Sequence, residues 1–392
     1  MNLYQLLKTG TEPLEYGGDI SWACWPTYRR QTLAMGGDHL ATFSFSADDS
    51  ILERWLDNYL GTHFEEVWGG VTTFMGLVWS MRLSYHGVVI TRSLDTMFND
   101  VRVRYKTSSA GAETTTSAAT NATSIARYGT KQLLEELTGT YITATTAGYF
   151  RDNLLAKFAY PRAKQQEARL AGDAQRGTLQ VEVRGYVHTL NNRLYNSTST
   201  ANIDADDEIK NVLGSADFVS QGSITANTAQ VTEEADYQPG WERIQKIAGL
   251  GSNGARWLAG CYQGRTLDYY QADESTIAYE QELRTQRRLT FLPGSGEIIP
   301  PPLVGPGGVV FIRDVMGGRP QESTLLDDIR AMFVDMVEYS KDGVVLKGNP
   351  EDDAAKAAAL ALALRPRVEL PRPPIFSERP GKPDKQLPPI FR

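Results

Sequence analysis

The sequence is poor in the residue types on which most protein chemistry depends. It holds two cysteines in 392 residues, Cys24 and Cys261. Neither sits at a metal-ligand spacing, and two isolated cysteines make no disulfide framework, so both read as small buried hydrophobes. The four histidines, His39, His63, His86 and His188, are scattered, and no two stand three or four residues apart. No metal site is legible in them. Excess positive charge is lacking as well. Forty Lys and Arg face 47 Asp and Glu, a net charge of −7, whereas a dedicated nucleic-acid binder carries a basic face. No run approaches the roughly 18 apolar residues of a membrane span. The start, MNLYQLLKTGTEPLEYGG, has no basic region followed by a long apolar stretch. The expectation is a protein without a signal peptide, made in a cytoplasm and independent of membranes.

Motifs that bring chemistry are absent or broken. There is no Gly-x-Ser-x-Gly elbow. Gly249, Gly251 and Gly254 match the GxGxxG spacing, but the order around them is helix then strand, the reverse of a dinucleotide fold. Gly249 and Gly251 therefore read as a helix C-cap and turn. Asn202, Asp204, Asp206 and Glu208 resemble the start of a calcium loop but lack its sixth-position Gly and distant Glu, so an acidic helix start is the reading. Asn121-Ala-Thr123 and Asn196-Ser-Thr198 match the glycosylation triplet by chance in polar loops. No catalytic residue, cofactor or metal is expected. Sequence alone does not pair carboxylates in space, so glycosidase chemistry is not closed by pattern.

What is present is patterned β-structure. The chain is long enough for two to four domains. Residues 14–106 read mostly as strands. Ala41 to Ser46 alternates, and in FMGLVWSMRLSYHGVVITRSLDTMFNDVRVRY, residues 74–105, Met75, Leu77, Trp79, Met81 and Leu83 fall on one face, with Val78 the apolar exception on the other. Tyr85-His86-Gly87 reads as a turn. Val101, Val103 and Tyr105 alternate with Arg102 and Arg104. Ile51, Leu52, Trp55, Leu56 and Tyr59 keep helical spacing, with Asp48 or Asp49 as N-cap and Gly61 as stop. Trp25, Tyr28 and Trp68, near glycine turns, suit either core or interface. Residues 107–123 are small and polar, a loop or linker. SIARYGTKQLLEEL reads as helix or turn plus helix, and GYFRDNLLAKFAYP as a helix with Phe150, Leu154, Leu155 and Phe158 on one face, ended by Pro161. Leu179, Val181 and Val183 mark a strand. Residues 206–213 and Trp241, Ile244, Ile247 and Ala248 mark helices, and ARWLAGCYQGRTLDYY a strand pair. Further on come a strand at 309–312 and helices at 325–339 and 353–364.

Several of these phrases, in order, resemble tail hub proteins of tailed bacteriophages, the baseplate-hub or tail-tip ring family. The residues are Gly76, Val78, Met81, Leu83, Ser93, Leu94, Asn99, Val101, Val103 and Tyr105, then the phrase from Ser124 to Tyr128 and Gly129. Leu179, Val181, Val183, Gly185, Tyr186, Thr189 and Leu190 follow, and then Trp241, Ile244, Ile247, Arg256, Trp257, Gly264 and Arg265. The resemblance covers residues 14–340. It implies an α+β, predominantly antiparallel β chain with two tail-tube-like β-sandwich or barrel domains, small helical inserts and an extended Pro-rich C-terminal arm. The expected divisions are 1–106, first tube-like domain; 107–176, linker and mixed helical insert; 177–291, second tube-like domain; 292–350, strand-helix segment; 351–392, Ala-rich helix and arm.

The resemblance also implies a non-enzymatic virion tail protein: a homotrimer forming a pseudo-sixfold ring that joins the tail tube to the tip. Its partners would be the distal tail or tail tube protein, the tape measure protein, a tip or fibre protein, and viral DNA passing through the lumen without specific binding. Ring closure suits open sheet edges, because neighbours bury them. Three copies of a −7 chain carry −21, which would repel phosphate. Two other readings stay open: a carbohydrate-binding tail-tip adhesin, and the hub of a contractile injection particle.

Eight prolines fall in the last 28 residues, so that segment is expected to be extended or without packed structure. The motif PPIF occurs twice there, as Pro373, Pro374, Ile375 and Phe376 and as Pro388, Pro389, Ile390 and Phe391. Each copy joins a stiff stretch to an Ile-Phe anchor, which marks these eight residues as candidate partner-docking residues. Arg372, Arg379, Lys382 and Lys385 would suit an acidic partner surface. A plain tail with chance repetition is the competing reading.

Overall fold

The computed structural model describes residues 2–7, 28–34, 36–68, 71–85, 87–168, 177–197, 202–252, 257–261, 264–271, 277–283, 289–291, 309–316, 319–320, 331–333, 336–340 and 343–347. Its elements begin with β1 (Asn2–Leu7), β2 (Tyr28–Ala34), β3 (Gly37–Ser46), α1 (Asp49–Asn58), β4 (His63–Trp68), β5 (Val71–Tyr85), β6 (Val88–Ser93) and β7 (Asp100–Lys106). Next are β8 (Thr114–Thr115), β9 (Ala119–Thr120), α2 (Ala122–Tyr128), β10 (Gln132–Tyr141), α3 (Ala144–Phe158), β11 (Ala163–Ala168) and β12 (Thr178–Gly185). They continue through β13 (Leu194–Ser197), β14 (Ile203–Asp204), α4 (Ala205–Leu213), β15 (Ser220–Ile224), β16 (Gln230–Val231), β17 (Ala235–Pro239), α5 (Gly240–Leu250), β18 (Trp257–Gly260) and β19 (Thr266–Gln271). The last are β20 (Ile277–Leu283), β21 (Leu289–Phe291), β22 (Val309–Met316), β23 (Arg319–Pro320), β24 (Ala331–Phe333), β25 (Met336–Ser340) and β26 (Gly343–Lys347).

The largest sheet runs β1-β4-β5-β12-β3-β2-β25-β26, with β6 beside β5 and β11 beside β6. Its pairings are antiparallel. Among the described residues it is an open sheet, not a closed barrel. The molecule is mixed α+β with mostly antiparallel sheets, as its alternating strands predict. Parallel pairs join β10 to β7, β15 to β19 and β20 to β22.

β5 explains the apolar density of residues 74–85, and it corrects their expected facing. Against β12, Glu182 pairs with Ser80 and Val183 with Val78, so Trp79 is an extra residue, a β-bulge. The bulge shifts the alternation by one. Before it, Phe74 and Val78 face the first core; after it, Met81 and Leu83 do. Leu77 and Met75 face the second core on the opposite side. Val78 is therefore no exception, because β5 is buried on both faces. The first core also takes Phe43, Phe45, Trp55, Leu56, Leu179, Val181 and Val183. α1 lies over it as its spacing predicts, and Phe45 and Trp55 meet edge to face at 4.9 Å. The second core gathers Tyr186, Leu190, Ile209, Val212, Trp241, Ile244, Ile247, Leu267 and Tyr269.

β12 opens the segment that begins at 177, yet it lies between β3 and β5 of the first segment. The chain then enters the second core at Tyr186, so the two cores are continuous through one strand.

Three other segments differ from expectation. Gln132–Tyr141 is a strand and not a helix: Gly129, with φ +74, stops α2, and the following residues pair with β7. The polar 107–123 segment contributes β8 and β9, both paired to β7. Residues 336–339 of the expected 325–339 helix belong to β25 beside β2, and 331–333 form β24 beside β22; the ladder takes the backbone groups that a helix would have used internally. Residues 325–330 lie outside the described ones, as do the expected helix at 353–364 and the Pro-rich arm. Trp25 and Cys24 also lie outside them, while the backbones of Tyr28 and Trp68 belong to β2 and β4.

Candidate functional site

The two cores meet where β3 begins. Cys261 N donates to Gly36 O at 2.8 Å, and Asp38 N donates to Cys261 O at 3.2 Å. Gly37 has φ +99, and a Cβ there would lie 1.9 Å from Cys261 O. At Gly185 a Cβ would lie 1.7 Å from Asp38 O. Only glycine permits either approach.

Polar side chains fill the crossing. Asp38 is buried; its Oδ2 accepts the Met75 N–H at 2.7 Å, and its Oδ1 has no partner among the described residues. Burial pushes its pKa well above the usual carboxylate range. His39 Nδ1 and His188 Nε2 are 2.9 Å apart. Burial lowers both pKa values, that of His188 to about 4, with His39 and Arg184 adding to the shift at His188 and Arg184 at His39. Arg184 meets Asp95 through two hydrogen bonds, 3.1 and 3.2 Å, and lies over the Trp79 ring at 5.0 Å. Trp79 Nε1 donates to Asp95 Oδ1 at 2.7 Å. Lys131 approaches the same ring at 5.3 Å and donates to Leu94 O at 2.6 Å. Burial lowers its pKa to about 8.

A second cluster lies on the other side of β5. His63 Nδ1 is 2.5 Å from Tyr186 Oη and 3.0 Å from Arg265 Nη2. Both neighbours are donors to it, so Nδ1 is the acceptor and the ring carries its proton on Nε2. Burial, with Arg265 next, lowers the His63 pKa to about 4.

These groups are arranged to hold segments together. The imidazoles are neutral near pH 7, and the Cys261 thiol is pushed up to about 12 by burial, far from a reactive thiolate. Among the described residues, no group of three or more His, Cys, Asp or Glu could hold a metal ion. Asp206 accepts from Lys210 and from Asn227 N–H, while Glu208 binds the buried Arg243. That is the acidic helix start expected of the false calcium loop. Gly251 is the C-cap of α5, as expected, whereas Gly249 lies inside the helix and not in a turn after it. A cleft of about 180 Å³ borders Arg104, Lys106, Glu113, Glu136 and Tyr141. It is smaller than common ligand pockets, and its charges pair: Arg104 with Glu136 and Lys106 with Glu113.

The eight candidate docking residues of the two PPIF motifs lie outside the described residues, so nothing here places them together. Sequence reasoning missed the histidine pair. His39 and His188 stand 149 residues apart, and only the pairing of β12 with β3 brings them into contact. It also missed a set of exposed aromatic side chains on and around α3: Tyr141, Tyr149, Phe150 and Tyr160. Their signal was legible as apolar residues on more than one side of that helix.

No protein-family model matches the chain, and no curated protein sequence does. Among solved structures, the chain is similar to a tail protein from Neisseria meningitidis MC58, with 10% identity and a TM-score of 0.43, covering 91% of this chain and 99% of that one. The 43 kDa tail protein of prophage MuSo2 from Shewanella oneidensis gives 8% identity and a TM-score of 0.40, covering 90% and 97%. The E. coli c3393 protein, a component of the type VI secretion system, gives 9% identity and a TM-score of 0.30, covering 49% and 62%.

Proposed function

We propose that the chain is a structural, non-catalytic virion protein: a tail hub that closes as a homotrimer into a pseudo-sixfold ring between tail tube and tail tip. One observation carries this reading. The phrases that resemble tail hubs fall on connected elements: β5 pairs with β6 and β12, β7 follows β6 in the chain, and α2 is tied to the start of β7 through hydrogen bonds from Asn99. The resemblance thus describes one connected scaffold and not scattered matches. The open sheet supports the reading too, since ring closure buries edges that a monomer leaves exposed.

In this reading residues 1–106 and 177–291 supply the two tube-like units, joined where β12 lies in the first sheet. The distal tail or tail tube protein sits above, a tip or fibre protein below, and tape measure and DNA pass through the lumen. The test is native mass over a concentration series with electron-microscope class averages. A threefold ring of about 130 kDa, three chains of 43.4 kDa, is the expected result. A monomer that stays monomeric with the tail tube protein present would overturn it.

A further inference from the structure

Among the described residues, the exposed large apolar side chains are Tyr141, Tyr149, Phe150, Tyr160 and Leu250. Four of the five are aromatic and fall within residues 141–160. Single exposed apolar residues need no explanation, but clustered ones do. The inner side of α3 is accounted for: Ala147 and Leu154 pack on Val103 and Tyr105 of β7, and Arg151 reaches Ser117 O at 2.9 Å. The outer side is not. Tyr149 is 68% exposed. Tyr149 lies on α3 and Tyr160 stands just past its C-cap Ala159, eleven residues on and about 16 Å further by helical rise, with its hydroxyl donating to Asn121 Oδ1 at 3.3 Å. Between them Asp152, Asn153 and Ala156 are exposed and short. Phe150 flanks this trough, and Tyr141 stands just before the N-cap Thr143.

We propose that this aromatic trough on α3 is the seat of the chain's own C-terminal arm, occupied by one of its two PPIF motifs. Proline-rich segments dock on aromatic-lined grooves, where proline rings lie on aromatic faces and little entropy is lost. The dimensions agree. A polyproline-type segment rises about 3.1 Å per residue, so the five residues Arg372 to Phe376, or Leu387 to Phe391, span about the 16 Å between Tyr149 and Tyr160. Ile375-Phe376 or Ile390-Phe391 then supplies the apolar anchor. The reach also agrees. Residues 348–372 separate the last strand from the first motif. A chain of that length extends up to about 80 Å, more than the roughly 55 Å across a compact globule of this size. Tethering gives the motif an effective concentration on the order of millimolar at the trough, and two copies raise it further. The proposal stands independently of the tail role.

The test uses the full chain with Phe150→p-benzoylphenylalanine, a photo-crosslinking residue of similar shape at an exposed position. Irradiation should yield an internal crosslink to residues 372–376 or 387–391, with the product running as a single chain on a denaturing gel. Replacing Ile375, Phe376, Ile390 and Phe391 by Ala should cut that yield at least fivefold. An excess of the peptide RPPIFSERP should do the same. Circular dichroism should stay unchanged, since all altered side chains are exposed or in the arm. Crosslinks to any other segment, crosslinks between two chains, or a yield insensitive to the four Ala substitutions would each overturn the proposal. Binding of a cell-wall glycan that the peptide does not displace would also overturn it.

Discussion

His188 Nε2 and His39 Nδ1 lie 2.9 Å apart, joining the turn after β12 to the start of β3. One nitrogen must donate and the other accept, so the contact exists only while at least one ring is neutral. Both rings have pKa values below the ordinary 6.5, and so does His63. A histidine whose folded pKa is depressed binds fewer protons folded than unfolded between the two values. Stability is therefore lost as pH falls from about 6.5 towards about 4 and levels off below. Arg184 adds to the depression at both His39 and His188; Glu182 opposes it at His39 and Asp95 at His188. For His188 and His63 the loss between pH 7 and pH 5 is roughly 2 kcal/mol each. Urea midpoints at the two pH values measure it, and His188→Gln should remove about half of the acid-induced fall. An unchanged slope in that variant would break the assignment.

The crossing of backbones gives a steric prediction. Gly185→Ala places a Cβ 1.7 Å from Asp38 O, a backbone atom that no side-chain rotation relieves. The expected loss is about 3 kcal/mol or more. Gly148→Ala, inside α3 with no atom within 4 Å of the new Cβ, is the control. It should stabilise by about 0.5–1 kcal/mol through helix propensity. Denaturation of the two variants side by side tests whether the crossing is as tight as described.

The second core holds a buried ion pair. Arg243 donates to Glu208 Oε1 through Nε at 3.1 Å and Nη2 at 2.7 Å, and both side chains are 2% exposed. Tyr195 Oη donates to Glu208 Oε2 at 2.9 Å, and Glu233 O takes a further Arg243 hydrogen. Arg243→Met alone strands a buried carboxylate and should cost about 3–5 kcal/mol. Adding Glu208→Leu should recover part of that loss, because no unpaired charge then stays buried, while Tyr195 Oη and Glu233 O still lose these partners. Non-additivity in the double-mutant cycle is the readout.

The local elements were legible where one side of an element faces a core. α1, β3, β7, β12 and α5 follow their periodicity because each buries one face. β5 did not, since a bulge at Trp79 is set by pairing with β12 and leaves no mark in the strand's own composition. Gln132–Tyr141 was misread because LLEEL has helical composition, and a parallel partner 32 residues earlier decided otherwise. The same reason hid the histidine pair and the Asp38–Cys261 contact: both depend on which strand lies beside which, and that is settled by long-range pairing. The α3 aromatics were visible as residues but not as a surface, because which face β7 covers is a tertiary fact.

Asp38 offers the opposite pH signature to the histidines. Its buried carboxyl accepts Met75 N–H through Oδ2, while Oδ1 has no partner among the described residues. Burial raises its folded pKa above the unfolded value, so it contributes stability at low pH that is lost as pH rises through the folded pKa. The amide introduced by Asp38→Asn would keep an acceptor for Met75 N–H without a charge to bury. The substitution should therefore raise the urea midpoint at pH 7, and the gain should shrink as the pH is lowered towards 4. The histidine variant should do the reverse, bringing its benefit only on acidification. Both substitutions sit at one crossing, so comparing each single variant with the double variant separates two contributions whose slopes between pH 4 and pH 7 have opposite sign. If Asp38→Asn lowers the midpoint at pH 7, the carboxyl is ionised there and has a partner that the described contacts do not include.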